Sequence, residues 1–141
     1  MTGSKSLRIV AAVKDLFFAV RIGNTLRPRG YRVDVVNAPE ALDAALTTED
    51  DPPALLIVDL GFAALDPAGR IAALKADERT RALPVLAFGS HLDRAGQRAA
   101  REAGADRVIA NSQLAGSLPA LVQRLVRQAG QGAPSGGEAS G

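Results

Sequence analysis

Five short apolar runs alternate with stretches whose apolar residues recur at helical spacing, and this alternation most constrains the fold. The first run, "LRIVAAV" (7–13), is too short and too uniform for an amphipathic helix and predicts a buried strand. From Leu16 to Arg27, Phe18, Ile22 and Leu26 fall every four residues on one helix face, which Pro28 and Gly30 end. "YRVDVV" (31–36) alternates like a strand, and Asn37, Pro39 and Glu40 then predict a helix with Asn37 as its cap. "ALLIV" is the third strand and stops at Asp59, a lone acid at the end of a greasy run. Asp66-Pro67 is expected to cap and open a helix over "AGRIAALKAD". "LPVLAF" (83–88) is strand four. Asp93 caps a helix over Arg94 to Ala103, which Gly104 closes. "RVIA" (107–110) is strand five, and Ser117 is expected to cap a last helix whose stripe is Leu118, Leu121, Val122, Leu125 and Val126.

Strand–helix units joined by short connections require a parallel sheet covered on both faces. Right-handed crossovers then predict an α/β, flavodoxin-like, doubly wound five-stranded parallel sheet, order 2-1-3-4-5, with five helices. The expected organisation is an N-terminal tail (1–6), one domain (7–129) and a flexible Gly-rich tail (130–141) with nothing to bury. In such a sheet the functional crevice opens at the carboxyl ends of the strands. There the sequence places Val13, Lys14 and Asp15 after strand one, Asp59 after strand three, Gly89, Ser90 and His91 after strand four, and Asn111 and Ser112 after strand five.

Composition removes several chemistries. The chain has no cysteine, so thiol nucleophiles and cysteine metal sites are excluded. A single histidine, His91, leaves Ser/His/Asp catalysis and histidine metal sites short of partners. The N-terminal apolar run is too short for a signal peptide or a membrane span, which predicts a cytoplasmic protein without membrane contact. Arginines interleave with acids and aromatics make up only 4% of the chain, too few for a base-stacking platform, so no nucleic acid is expected. There is neither a GxGxxG after strand one nor a P-loop pattern, which counts against a nucleotide-binding enzyme of this fold.

The ordered set "LRIVAAV", "LLIVDL" with Asp59, "LPVLAF" and "AGADRVI" resembles the receiver domain of bacterial two-component response regulators over roughly residues 7 to 127. The resemblance implies a phosphoacceptor carboxylate at Asp59, an acidic pair after strand one that holds Mg2+, a Ser or Thr after strand four and a Lys after strand five. Negative charge crowds such a cleft during phosphoryl transfer, so cations must offset it. Against that pattern the acidic pair falls on Val13 and Lys14, with Asp15 next. The hydroxyl position is Gly89 with Ser90 beside it, the lysine position is Asn111, the aromatic switch position is Val108, and Ala63 stands for the usual proline. "DLFFAVRI" and "FGSH" are also similar to a group of stand-alone degenerate receivers.

These departures predict a pseudo-receiver that works through protein contacts, is not an enzyme, has no catalytic residue and carries no cofactor. Lys14 is expected to partner Asp59 in place of a metal, and Ser90 and His91 to donate to Asp59 or an anion. Two alternatives stay open. One is a single-domain phosphoacceptor in which Asp15 and Asp59 hold Mg2+, with Ser90 beside them. The other is a small flavodoxin-like nucleotide-binding protein or enzyme. The expected partner is a histidine kinase or another signalling protein. A homodimer through helix four, strand five and helix five is a further expectation, suggested by Ala95, Ala99 and Ala103 among Arg94, Arg98, Arg101, Glu102 and Arg124.

Overall fold

The computed structural model describes the backbone of residues 6–140 and side chains as far as residue 130. In chain order the elements are β1 (Arg8–Ala12), α1 (Leu16–Leu26), β2 (Arg32–Val36), α2 (Pro39–Leu46), β3 (Leu55–Asp59), α3 (Pro67–Ala76), β4 (Val85–Gly89), α4 (Arg94–Ala103), β5 (Arg107–Ala110) and α5 (Leu114–Ser140). The strands form one five-stranded sheet in the order β2-β1-β3-β4-β5, and every neighbouring pair is parallel. The predicted architecture is the observed one.

Alternation along the strands builds two core layers. Ile9, Ala11, Leu55, Ile57, Leu86 and Phe88 face α1 and α5, where they meet Ile22, Leu26, Leu118 and Val122. Val10, Ala12, Leu56, Val58, Val85 and Ala87 face the other way, toward Leu42 of α2, Ile71 of α3 and Ala100 of α4. The three central strands, β1, β3 and β4, are buried on both faces and so show no polar alternation, whereas the edge strand β2 alternates. Each fully buried Leu, Ile or Phe contributes roughly 1.5–3 kcal/mol relative to exposure.

The "GAD" phrase has a structural cause. Gly104 adopts φ 114°, closing α4 with its N–H on the carbonyls of Ala100 and Arg101. Asp106 then accepts the Val85 N–H at 2.7 Å and the Lys75 ammonium at 3.0 Å, tying β4, β5 and α3 together.

Several local expectations are corrected. Asn37 does not cap α2; Ala38 holds the cap position without a side-chain bond, and Pro39 opens the helix with its preset φ. Asp66 precedes α3 in the left-handed region (φ 53°) and makes no capping bond. Ser117 lies inside α5, because the Gln113 side chain accepts the Ala110 N–H at 2.9 Å and starts the helix a turn earlier. The backbone of α5 runs to Ser140, across the stretch expected as a Gly-rich tail. The expected N-terminal tail lies, apart from Ser6, outside the described residues.

Candidate functional site

Asp59 closes β3 on the same side as Leu55 and Ile57, so its carboxylate comes out at the carboxyl end of the sheet, on the α1 side. It is 6% exposed and lines a cleft of about 440 Å³ with Lys14, Asp15, Phe18, Gly61, Gly89, Ser90, Asp93 and Asn111. The sequence therefore brings Lys14, Asp15, Asp59, Gly89, Ser90 and Asn111 to one place, as its topology predicts. It does not bring His91 there. That side chain is exposed and lines a neighbouring hollow of about 390 Å³ with Phe17, Phe18 and Arg21, on the far side of Ser90.

Few interactions cross the cleft. Asp59 Oδ1 accepts the Gly61 N–H at 2.8 Å, a bond within its own turn. Among the described residues no ion pair joins Lys14 to Asp59, and the Lys14 side chain is exposed, which corrects the expected direct partnership. The reason lies next door. Val13 is anchored in the core between α1 and α5, and its N–H bonds the Val36 carbonyl at 3.1 Å, so the chain turns outward at Lys14. Asp15 has a task of its own as the cap of α1: its Oδ1 accepts the Phe17 N–H at 2.8 Å.

At the hydroxyl position, a side chain on Gly89 would meet Leu60, whose Cβ and Cδ1 lie 3.1 Å from where a Cβ would stand. Ser90 turns away: its Oγ accepts the Leu92 N–H at 3.1 Å, and its carbonyl takes Gln97 Nε2 at 2.8 Å and the Asp93 N–H at 3.0 Å. Asn111, at the lysine position, has a buried Oδ1 without a hydrogen-bond partner. Val108 packs against the second core layer. Phe18 and Asp93 are lining residues that pattern reading did not single out for the site. Phe18 stacks edge-on against Phe88, with ring centroids 5.4 Å apart.

The donor set does not fit a magnesium ion. Mg2+ takes a near-octahedral set of oxygens. Here one position of the acidic pair is apolar and in the core, the other is a cation, and Asp15 already caps a helix. Among the described residues no three acidic or histidine side chains cluster closely enough to hold a metal.

No family model matches the sequence, and no curated protein matches it either. Solved structures do. A candidate response regulator from Chloroflexus aurantiacus is 22% identical, with 87% of this chain and 99% of that one covered and a TM-score of 0.78. The response-regulator signal receiver domain from Bermanella marisrubri is 24% identical, with 86% and 99% covered and a TM-score of 0.76. The receiver domain of a Pseudomonas aeruginosa sensor histidine kinase, which has a magnesium ion in its active-site cleft, is 20% identical, with 86% and 98% covered and a TM-score of 0.74. The fold is that of a receiver domain. The cleft at Asp59 lies at the carboxyl ends of the strands of that fold.

Proposed function

We propose that this chain is a receiver-like signalling or scaffold module that acts through protein contacts and does not efficiently phosphorylate Asp59. The observation that carries the reading is the lack of charge compensation around that carboxylate. Its hydrogen bond comes from its own turn, and no cation pairs with it among the described residues. Phosphoryl transfer rests almost wholly on positioning and on cations that offset the oxygens, and removing one such stabiliser costs on the order of a hundredfold in rate.

Contact through protein surface is supported by α1, which leaves Leu16 (75%), Phe17 (60%) and Val20 (51%) exposed in sequence, beside the cleft. Arg21 lies over the Phe17 ring, 4.9 Å from its centroid, so the patch has a cationic rim. A protein partner such as a histidine kinase fits the module better than a small substrate, and the reading is of a non-enzymatic protein working in the cytoplasm over 7–129. No described helix is long and apolar enough to cross a membrane.

The phosphoacceptor alternative keeps one observation in its favour, the placement of Asp59 at the end of β3. Beryllium fluoride, a phosphoryl mimic, separates the two. With Mg2+ and beryllium fluoride the thermal midpoint is expected to stay unchanged. A saturable stabilisation that Asp59→Asn removes would favour the phosphoacceptor.

A further inference from the structure

Negative charge gathers in the Asp59 cleft without donors to answer it. Three carboxylates line it, Asp15, Asp59 and Asp93, against one cation, Lys14. Each gives its Oδ1 to a backbone N–H close by in sequence: Phe17 at 2.8 Å, Gly61 at 2.8 Å and Gly96 at 2.9 Å. The second oxygen of each has no partner among the described residues. Asp15 and Asp93 are exposed, and water serves their free oxygens. Asp59 is different. It is 6% exposed, so its Oδ2 is largely withdrawn from solvent. In the same lining the Asn111 Oδ1 is buried and also lacks a donor. Buried acceptors are costly to leave unpaired, and two of them in one cleft call for a ligand that donates.

We infer that the cleft at Asp59 binds a primary ammonium group, the tip of a lysine side chain on a protein partner or of a free amine. An ammonium carries one positive charge, three N–H donors and no acceptor, so it answers Asp59 and Asn111 together. It asks for no octahedral shell, and the oxygens that fail a magnesium ion suffice for it. A guanidinium fork pairs with both oxygens of one carboxylate. Here the Gly61 N–H already holds Asp59 Oδ1, which leaves one oxygen for a point donor. The Phe18 ring in the lining gives the methylenes beside the nitrogen an apolar wall. Lys14 does not fill the role itself: it is exposed and without an ion pair, and its charge opposes an incoming cation. Three carboxylates against one lysine exclude an anion from the same place.

The inference rests on the reading of the chain as a protein-contact module and names what its cleft takes. The test titrates the isotope-labelled full chain at constant ionic strength and follows the amide signals of Asp59, Gly61, Ser90 and Asn111. The probes are n-butylammonium, tetramethylammonium, and lysine and arginine each blocked as the acetyl amide. Butylammonium is expected to shift these signals saturably and to bind at least about fivefold tighter than tetramethylammonium, which has the charge without the N–H donors. Blocked lysine should bind at least about threefold tighter than blocked arginine. Asp59→Asn keeps an acceptor for the Gly61 N–H and removes the charge, and should weaken butylammonium about tenfold or more. Lys14→Met should tighten it about twofold, whereas an anion site would be weakened. The amide spectrum of each variant shows directly that it is folded. Equal binding of tetramethylammonium, tighter binding of arginine, or binding that survives Asp59→Asn would each overturn the inference. Blocked lysine as tight as butylammonium assigns the group to a partner protein. Blocked lysine about fivefold weaker keeps the ammonium site, assigns it to a free amine and counts against the module reading. Absence of all binding overturns the inference and leaves the inertness of Asp59 standing. Conversely, a phosphorylated Asp59 in a chain that still binds butylammonium would sink the module reading alone.

Discussion

The two ends of the sheet treat polar groups in opposite ways. At the amino end, charges are paired and tied to backbone. Arg8, 8% exposed, bonds Asp34 Oδ2 at 2.7 Å and the Asp51 carbonyl at 2.9 Å. Arg32 takes both oxygens of Asp51, at 2.6 and 2.8 Å, and is held more firmly protonated by that bond. Lys75 and Asp106 close the β4–β5 side of the same end. At the carboxyl end, Asp59 has its own turn for company, Asn111 Oδ1 has no partner, and Lys14 stands in solvent. One end holds the sheet together, while the other keeps the outline of a reactive site with its charges uncoupled.

Breaking the amino end should therefore cost more than altering the carboxyl end. Arg8→Met is expected to lose about 2 kcal/mol in urea unfolding, since it removes charge-assisted bonds from a buried group. A loss below about 0.5 kcal/mol would show that the amino-end network is ornamental. Asp106→Ala should cost about 1.5 kcal/mol, because the Val85 N–H and Lys75 lose an acceptor together. An unchanged midpoint would mean that Gly104 alone sets the α4–β5 junction.

The carboxyl end should respond weakly. Asp59→Asn keeps an oxygen for the Gly61 N–H and is expected to shift stability by less than about 0.5 kcal/mol. In a cycle with Lys14→Met the coupling should stay below about 0.3 kcal/mol, the level expected of side chains that do not touch. A coupling above about 1 kcal/mol would mean that Lys14 reaches Asp59 in solution.

The smallest effect concerns pH. The Arg79 guanidinium, with help from the Arg79 N–H, holds the Asp77 carboxyl below the ordinary 3.8. A depressed acid contributes stability that is present above its unfolded value and lost as pH falls through the folded one. Asp77→Asn should thus lower the thermal midpoint slightly at neutral pH, with the difference from the wild type vanishing as pH falls below 3.8 through the folded value. An equal lowering of the midpoint at neutral and acid pH would contradict that assignment.

Legibility from sequence follows the same division. Strand order, the crevice and the place of Asp59 are readable because apolar runs of strand length leave few topologies, and the crevice follows from the topology. Gly104 and Asp93 are readable because their conformational and capping roles are local. Asp15 as the cap of α1 is harder to read, because an acid beside the expected metal pair invites a chemical role first. The closure of Gly89 by Leu60 and the unpartnered Asn111 Oδ1 depend on contacts between separate elements, which no local pattern carries. Lys14 shows the limit most plainly: sequence brings it to the cleft, and the buried Val13 behind it turns it outward.

The central claim is that Asp59 has the position of a phosphoacceptor without the surroundings that make one. Intact-mass spectrometry of the full chain after incubation with acetyl phosphate and Mg2+ tests it most directly. The account predicts an unmodified mass, identical for the wild type and Asp59→Asn. A stoichiometric phosphoryl adduct that Asp59→Asn abolishes would contradict it.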